Sequence, residues 1–201
     1  TDYDLMDDSP TQNWATLNPL AQVNPGSSIN GGMPGGTEPY RRGNLEGNSA
    51  GIQNGGMWSS TASIPGNVDT TYYWEVSMQA VAGNFPAVGV MQAAPLNQSY
   101  TITPSVIEYS PNGNIVQNPD NVNDVDTVLG TGDTYTTGDI ISCSLNTSTN
   151  SLRFFKNGVL QFNVTTYDFS NQSTLAACNL TGAGDSFTIN YGQQPFQHQP
   201  A

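Results

Sequence analysis

The sequence predicts an all-β chain, a sandwich or barrel of short strands. Three observations point there. Several segments alternate apolar and polar residues with a period of two. Turn signals rich in Gly, Asn and Pro recur about every 8–12 residues. Asn, Thr, Ser and Gln supply 74 of the 201 residues, and Asn, Ser and Thr favour turns and strands over helix interiors. The nine Tyr, seven Phe and three Trp argue for a packed core rather than disorder. No amphipathic helix and no internal repeat is visible, and the length suits one domain over residues 1–201.

The elements follow in order. Residues 1–23 are acidic, then turn-like at Asp8-Ser9-Pro10, then apolar around Trp14 and Leu17. Residues 24–57 hold ten glycines and read as a loop insertion without a long strand or regular helix. No Lys-Ser/Thr follows those glycines, so they are not a phosphate loop. Tyr72 to Met78 alternates strictly, with Tyr72, Trp74, Val76 and Met78 on one face and Tyr73, Glu75 and Ser77 on the other. Phe85 to Met91 is a second strand, in which Gly89 permits close backbone approach. Val106 to Tyr109 leads into a turn at Ser110 to Asn114, and residues 117–134 read as an Asn/Asp-rich loop.

The densest signal lies between Tyr135 and Phe162. Ile141, Cys143 and Leu145 share one face of a strand. Ser151 to Lys156 and Val159 to Phe162 flank Asn157-Gly158, a two-residue connection whose members both accept positive φ, as a type I′ hairpin requires. Thr174 to Leu180 is an apolar strand, and Phe187 to Tyr191 alternates again. A Gln/Pro-rich tail starts at about residue 197. Cys143 and Cys178 sit in apolar strand-like runs. Buried free thiols are favoured over a disulfide, since a core of this size needs no staple.

Composition removes several functions. The net charge is −12, and the four cations are Arg41, Arg42, Arg153 and Lys156. No basic stripe can be built for nucleic acid, nor a cationic patch for an anionic membrane. No run approaches the roughly 18 apolar residues of a membrane-inserted helix. The chain opens on Thr1 rather than Met, which suits a processed product or a piece of a longer protein. His198, the one histidine, falls in the expected tail, where a triad or Cys-His pair lacks a scaffold.

The order of the pieces resembles the SPRY family, a concanavalin-like, jelly-roll type of β-sandwich. The matching residues are Tyr73-Trp74-Glu75-Val76, Val88-Gly89-Val90, Gly138-Asp139-Ile140-Ile141, Leu152 to Phe162 and Phe187 to Phe196. Asp8 to Leu20 with Gly43-Asn44-Leu45 resembles the opening of such domains in bacteriophage and environmental viral proteins. The resemblance implies a two-sheet antiparallel sandwich with long Gly/Asn-rich loops, and no enzymatic activity. It implies a virion-associated domain, a head or tail appendage of an extracellular particle. Its partners would be other virion proteins or a host-surface glycan or protein, and the chain would form a homo-oligomer. A self-assembling capsid or fibre subunit is the first alternative.

A glycan hydrolase is the second alternative, because some glucanases share concanavalin-like sandwiches. It needs two carboxylates about 5–9 Å apart. Glu38, Glu46, Glu75 and Glu108 have no acidic residue two or four positions away, and Glu75 reads as an outward polar residue. No catalytic residue is assigned. The expected ligand-binding residues are Trp58, Tyr100, Tyr109, Asn112 and Asn114, in or beside neutral polar loops. No cofactor is required. If a metal binds it is Ca²⁺, held by oxygen ligands from Asp120, Asp124 and Asp126, although EF-hand spacing is absent.

Overall fold

The computed structural model describes residues 14–18, 40–48, 56–82, 86–93, 105–118, 126–180 and 184–199. No helix occurs among them. The strands are β1 (Tyr40–Arg41), β2 (Glu46–Asn48), β3 (Gly56–Ile64), β4 (Thr71–Ala80), β5 (Ala87–Gln92), β6 (Val106–Tyr109) and β7 (Asn114–Asn118). They continue with β8 (Thr127–Thr131), β9 (Ile140–Asn146), β10 (Ser151–Lys156), β11 (Val159–Val164), β12 (Thr174–Leu180) and β13 (Ser186–Asn190). They form a seven-stranded sheet, ordered β1-β2-β13-β4-β9-β10-β11, and a six-stranded sheet, ordered β3-β12-β5-β6-β7-β8. The paired strands are antiparallel.

The core lies between the sheets. On the inner face of the seven-stranded sheet, Trp74, Cys143 and Phe154 stand in register across three strands, all buried. Val88, Val90, Ile107, Tyr109, Ala176 and Cys178 supply the opposing face. Aromatic edges lock the two layers. Tyr109 meets Phe154 at a centroid distance of 5.9 Å, and Trp58 meets Phe187 at 6.2 Å. Such pairs add about 0.5–1.5 kcal/mol each beyond the area they bury.

Two local expectations hold. Asn157 and Gly158 have φ of 48° and 81°, as the mirror-image hairpin turn demands. A Cβ at Gly89 would sit 1.9 Å from the Ile107 carbonyl oxygen, so only glycine lets β5 and β6 approach this closely. Cys143 and Cys178 are free and buried.

Others need correction. The region expected to be a loop over 117–134 contains the end of β7 and all of β8. Their Asn, Asp and Thr content hid the pairing of Asn114–Gln117 with Thr127–Thr131. The glycine-rich stretch contributes β1, β2 and the start of β3. Strands of two and three residues are too short to show a period. The C-terminal residues expected to trail loosely are instead docked on the outer face of the seven-stranded sheet. There Tyr73 meets Phe196 edge-on at 4.7 Å, and the Gln197 and His198 amides donate to Glu75 at 2.9 and 2.7 Å.

Candidate functional site

The site grows from the edge of the sandwich where β3, β4 and the end of β13 meet. The segment 14–18 runs beside β3. The Thr61 amide donates to the Thr16 carbonyl (2.7 Å) and the Asn18 amide to the Ser59 carbonyl (2.8 Å). Leu17 is wholly buried and its amide donates to the Asn44 carbonyl (2.8 Å). This anchor holds Trp14 at the surface, 45% exposed. Its indole lies over Gly192, where a Cβ would meet the ring at 2.8 Å.

Tyr191 is placed by a knot of amide hydrogen bonds just after β13. Its N–H donates to Gln193 Oε1 (2.7 Å), the Gly192 N–H to Asn190 Oδ1 (2.9 Å), and Gln193 Nε2 to the Ile189 carbonyl (2.9 Å). Such side-chain bonds replace the strand ladder where the chain leaves the sheet. On β4, Tyr72 and Trp74 point to the inner face, because their register partners Leu145 and Cys143 are core residues.

Together Trp14, Ser60, Ile64, Tyr72, Trp74 and Tyr191 line a cleft of about 350 Å³. No Asp, Glu, Lys, Arg or His lines it, so the site is electrically neutral. One polar atom in its wall, the Trp74 indole N–H, is sealed from solvent without a hydrogen-bond partner, and the Tyr191 hydroxyl is sealed beside the Ser60 hydroxyl. Burial pushes the Tyr191 phenol well above its ordinary pKa, with Cys178 adding to the shift and the neighbouring Ser60 hydroxyl offsetting part of it. A buried polar group left unpaired costs about 1–3 kcal/mol. The exposed part of the cleft is the Trp14 indole, on which an apolar ring face of a ligand can stack.

The expected site residues distribute differently. Trp58 and Tyr109 are wholly buried core residues and offer a ligand no surface. Trp58 sits inside β3 against Phe187, and Tyr109 on β6 packs against Tyr135 and Phe154, its hydroxyl donating to the Asp133 carbonyl. Asn112 is exposed and Asn114 half-buried, in a turn closed by the Asn114 amide donating to Asn112 Oδ1 (3.0 Å). Tyr100, Asp120 and Asp124 lie outside the described residues. Asp126 is exposed and accepts from Asn118 Nδ2 (3.3 Å). Among the described residues no three acidic, His or Cys side chains gather as a metal site.

The two strand glutamates cannot act as a hydrolytic pair. Glu75 on β4 and Glu108 on β6 each lie between core residues, so each points outward from its own sheet. The sheets are about 10 Å apart, which puts the carboxylates on opposite sides of the molecule. Glu75 is also buried, 3% exposed, contrary to the expectation of a solvated side chain, because the C-terminal segment covers it. Sequence reasoning missed Trp14, Tyr72, Trp74 and Tyr191 as a group. The density of aromatics was visible, but not their meeting across more than a hundred residues.

Fold and site define an all-β sandwich of the binding class, with a neutral aromatic cleft at its edge. Residues 71–194 match the SPRY domain, and the chain belongs to that family, whose members are in general interaction modules. Among solved structures, the SPRY domain of human HERC1 is similar at a TM-score of 0.51 and 16% identity, covering 70% of this chain and 85% of that one. The TRIM65 PSpry domain is similar at a TM-score of 0.55 and 12% identity, covering 89% and 92%. These likenesses show the shared fold. A carbohydrate-binding module from Bacillus subtilis, CBM66, is more distant, with a TM-score of 0.47, 15% identity and coverage of 78% and 89%. No curated protein sequence matches the chain.

Proposed function

We propose that this domain binds a saccharide at the aromatic cleft, as a recognition module for a host-surface glycan on a virus particle. The cleft carries the reading. A half-exposed indole face and a neutral lining of aromatic and hydroxyl side chains suit a ring that is apolar on its faces and hydroxylated at its edge. The net charge of −12 disfavours polyanionic partners, which supports a ligand with little charge. Placement on a virion rests on the resemblance of Asp8 to Leu20 to the opening of viral SPRY-type domains.

The test is a broad glycan array of the full chain, followed by calorimetric titration of the best ligand into wild type and Trp14→Ala. Trp14 is surface-exposed, so the variant keeps the wild-type thermal midpoint within a few degrees, while affinity falls at least about tenfold. Absence of binding across the array, together with ordered self-assembly by light scattering, would instead establish a structural subunit.

A further inference from the structure

The aromatic cleft and the C-terminal segment meet at one residue, Gly192. A Cβ added there would stand 2.8 Å from the Trp14 ring and 3.6 Å from the Phe196 ring. Two aromatic side chains, one from the segment before β1 and one from the segment after β13, therefore share the space that a side chain at 192 would fill. The φ of Gly192 is 107°, which L side chains rarely adopt, so the position needs glycine for its backbone as well as for the space.

The two rings are not held equally. Phe196 is fixed from both sides along the chain. Before it, Asn190 shapes the bend: its Oδ1 accepts from the Gly192 N–H (2.9 Å), and its Nδ2 donates to the Gln194 and Pro195 carbonyls (3.1 and 3.4 Å). After it, the Gln197 and His198 amides donate to Glu75 at 2.9 and 2.7 Å. Phe196 itself packs edge-on against Tyr73, with ring centroids 4.7 Å apart. Trp14 has a looser hold. It is 45% exposed, and among the described residues the backbone bonds that anchor its segment begin at Thr16. The orientation of the indole is therefore set by the surface it lies against, which is Gly192 with Phe196 beside it.

We infer that Phe196 is a positioning residue for Trp14, so that the docked C-terminal segment completes the cleft. The ligand half of the inference rests on the saccharide reading of the cleft. A stacking platform that is already ordered spares the ligand the cost of ordering it. Immobilising one rotamer-rich side chain on binding weakens affinity by roughly two- to tenfold. The coupling is reciprocal: a sugar seated on Trp14 stabilises the indole against Gly192 and Phe196, and so favours the docked segment. The C-terminal residues then contribute to recognition without touching the sugar.

The experiment uses the full chain as wild type, Phe196→Ala, Trp14→Ala and the double variant. Its first arm needs no ligand. The ¹H–¹⁵N heteronuclear NOE of the Trp14 indole N–H, a measure of ps–ns order, is expected to fall in Phe196→Ala towards that of a freely rotating side chain, while the Trp58 and Trp74 values hold. Its second arm is titration calorimetry with the neutral saccharide that the glycan array ranks first. Phe196→Ala is expected to weaken binding about fivefold, Phe196→Leu to recover part of the loss, and the double variant to bind no more weakly than Trp14→Ala alone. An unchanged Trp14 NOE in Phe196→Ala overturns the positioning role. So does a double variant whose losses add, because Phe196 then acts independently of Trp14. Both results leave the saccharide reading standing. A wild type that binds no saccharide overturns that reading, and the ligand-free arm then decides the positioning role by itself.

Discussion

Glu75 and Glu108 occupy equivalent positions in two alternating strands, and the protein treats them oppositely. Each is flanked by core residues and points outward from its sheet. Glu75 is covered by the chain's own C-terminal segment, which brings donors with it. Its carboxylate accepts from the Gln197 amide (2.9 Å), the His198 amide (2.7 Å) and the Tyr73 hydroxyl (3.0 Å). Glu108, on the other sheet, is desolvated with little compensation. Burial raises its pKa to about 7, Asp126 adds repulsion, and Asn179 offsets only part. Glu75 is sealed by the segment laid over its sheet and serves as a clasp, whereas Glu108 stays half-buried with one partial offset, and that difference cannot be read from the strands themselves.

The largest effect should come from breaking the clasp. Glu75→Ala removes the acceptor of the Gln197 and His198 amides, while the Tyr73 hydroxyl keeps the His198 carbonyl (2.9 Å), and an unsatisfied buried donor costs about 1–3 kcal/mol. The expected loss is about 3 kcal/mol in urea unfolding. Residues 191–199 should also become sensitive to limited proteolysis, since Phe196 and His198 are held against Tyr73 and Gly158 only while the segment is down. Glu75→Gln keeps one acceptor oxygen and should cost about half as much. A loss below about 0.5 kcal/mol for the Ala variant, the scale of an ordinary surface substitution, would mean the segment is held by its packing alone.

Glu108 should give a smaller effect of opposite sign. Its folded-state pKa of about 7 lies above its ordinary value of 4.5, so the folded protein holds the proton more tightly than the unfolded chain. Its contribution to stability is therefore greatest below about pH 4.5 and is lost as pH rises to about 7. Glu108→Gln mimics the protonated form. The stability advantage of this variant over wild type should grow by about 2 kcal/mol between pH 5 and pH 8. A pH-independent difference would show that Glu108 is solvated after all.

The contrast also marks where the sequence was informative. The scaffold was legible because its signals are local. Tyr72 to Met78, Ile141 to Leu145 and the Asn157-Gly158 hairpin declare period and turn within a few residues. The outward direction of Glu75 was legible too, but its burial was not, because its cover comes from residues 122 and 123 positions away. The cleft failed for the same reason. Trp14, Trp74 and Tyr191 are unremarkable singly and become a site only when the N-terminal segment pairs with β3. Trp58 misled because Gly56-Met57-Trp58-Ser59-Ser60 follows a glycine-rich run and lacks the β-branched alternation of a recognisable strand. β7 and β8 were hidden by composition.

The chain has three tryptophans: Trp14 is exposed at the cleft, Trp74 is a core residue buried in the cleft wall, and Trp58 is buried in the core away from it. The most direct measurement is a titration of the ¹⁵N-labelled chain with the best array ligand, following the three indole N–H resonances. Saccharide binding at the cleft predicts that the Trp14 and Trp74 signals shift together along one saturation curve while Trp58 stays in place. A ligand that saturates the protein and leaves Trp14 and Trp74 unmoved would contradict it.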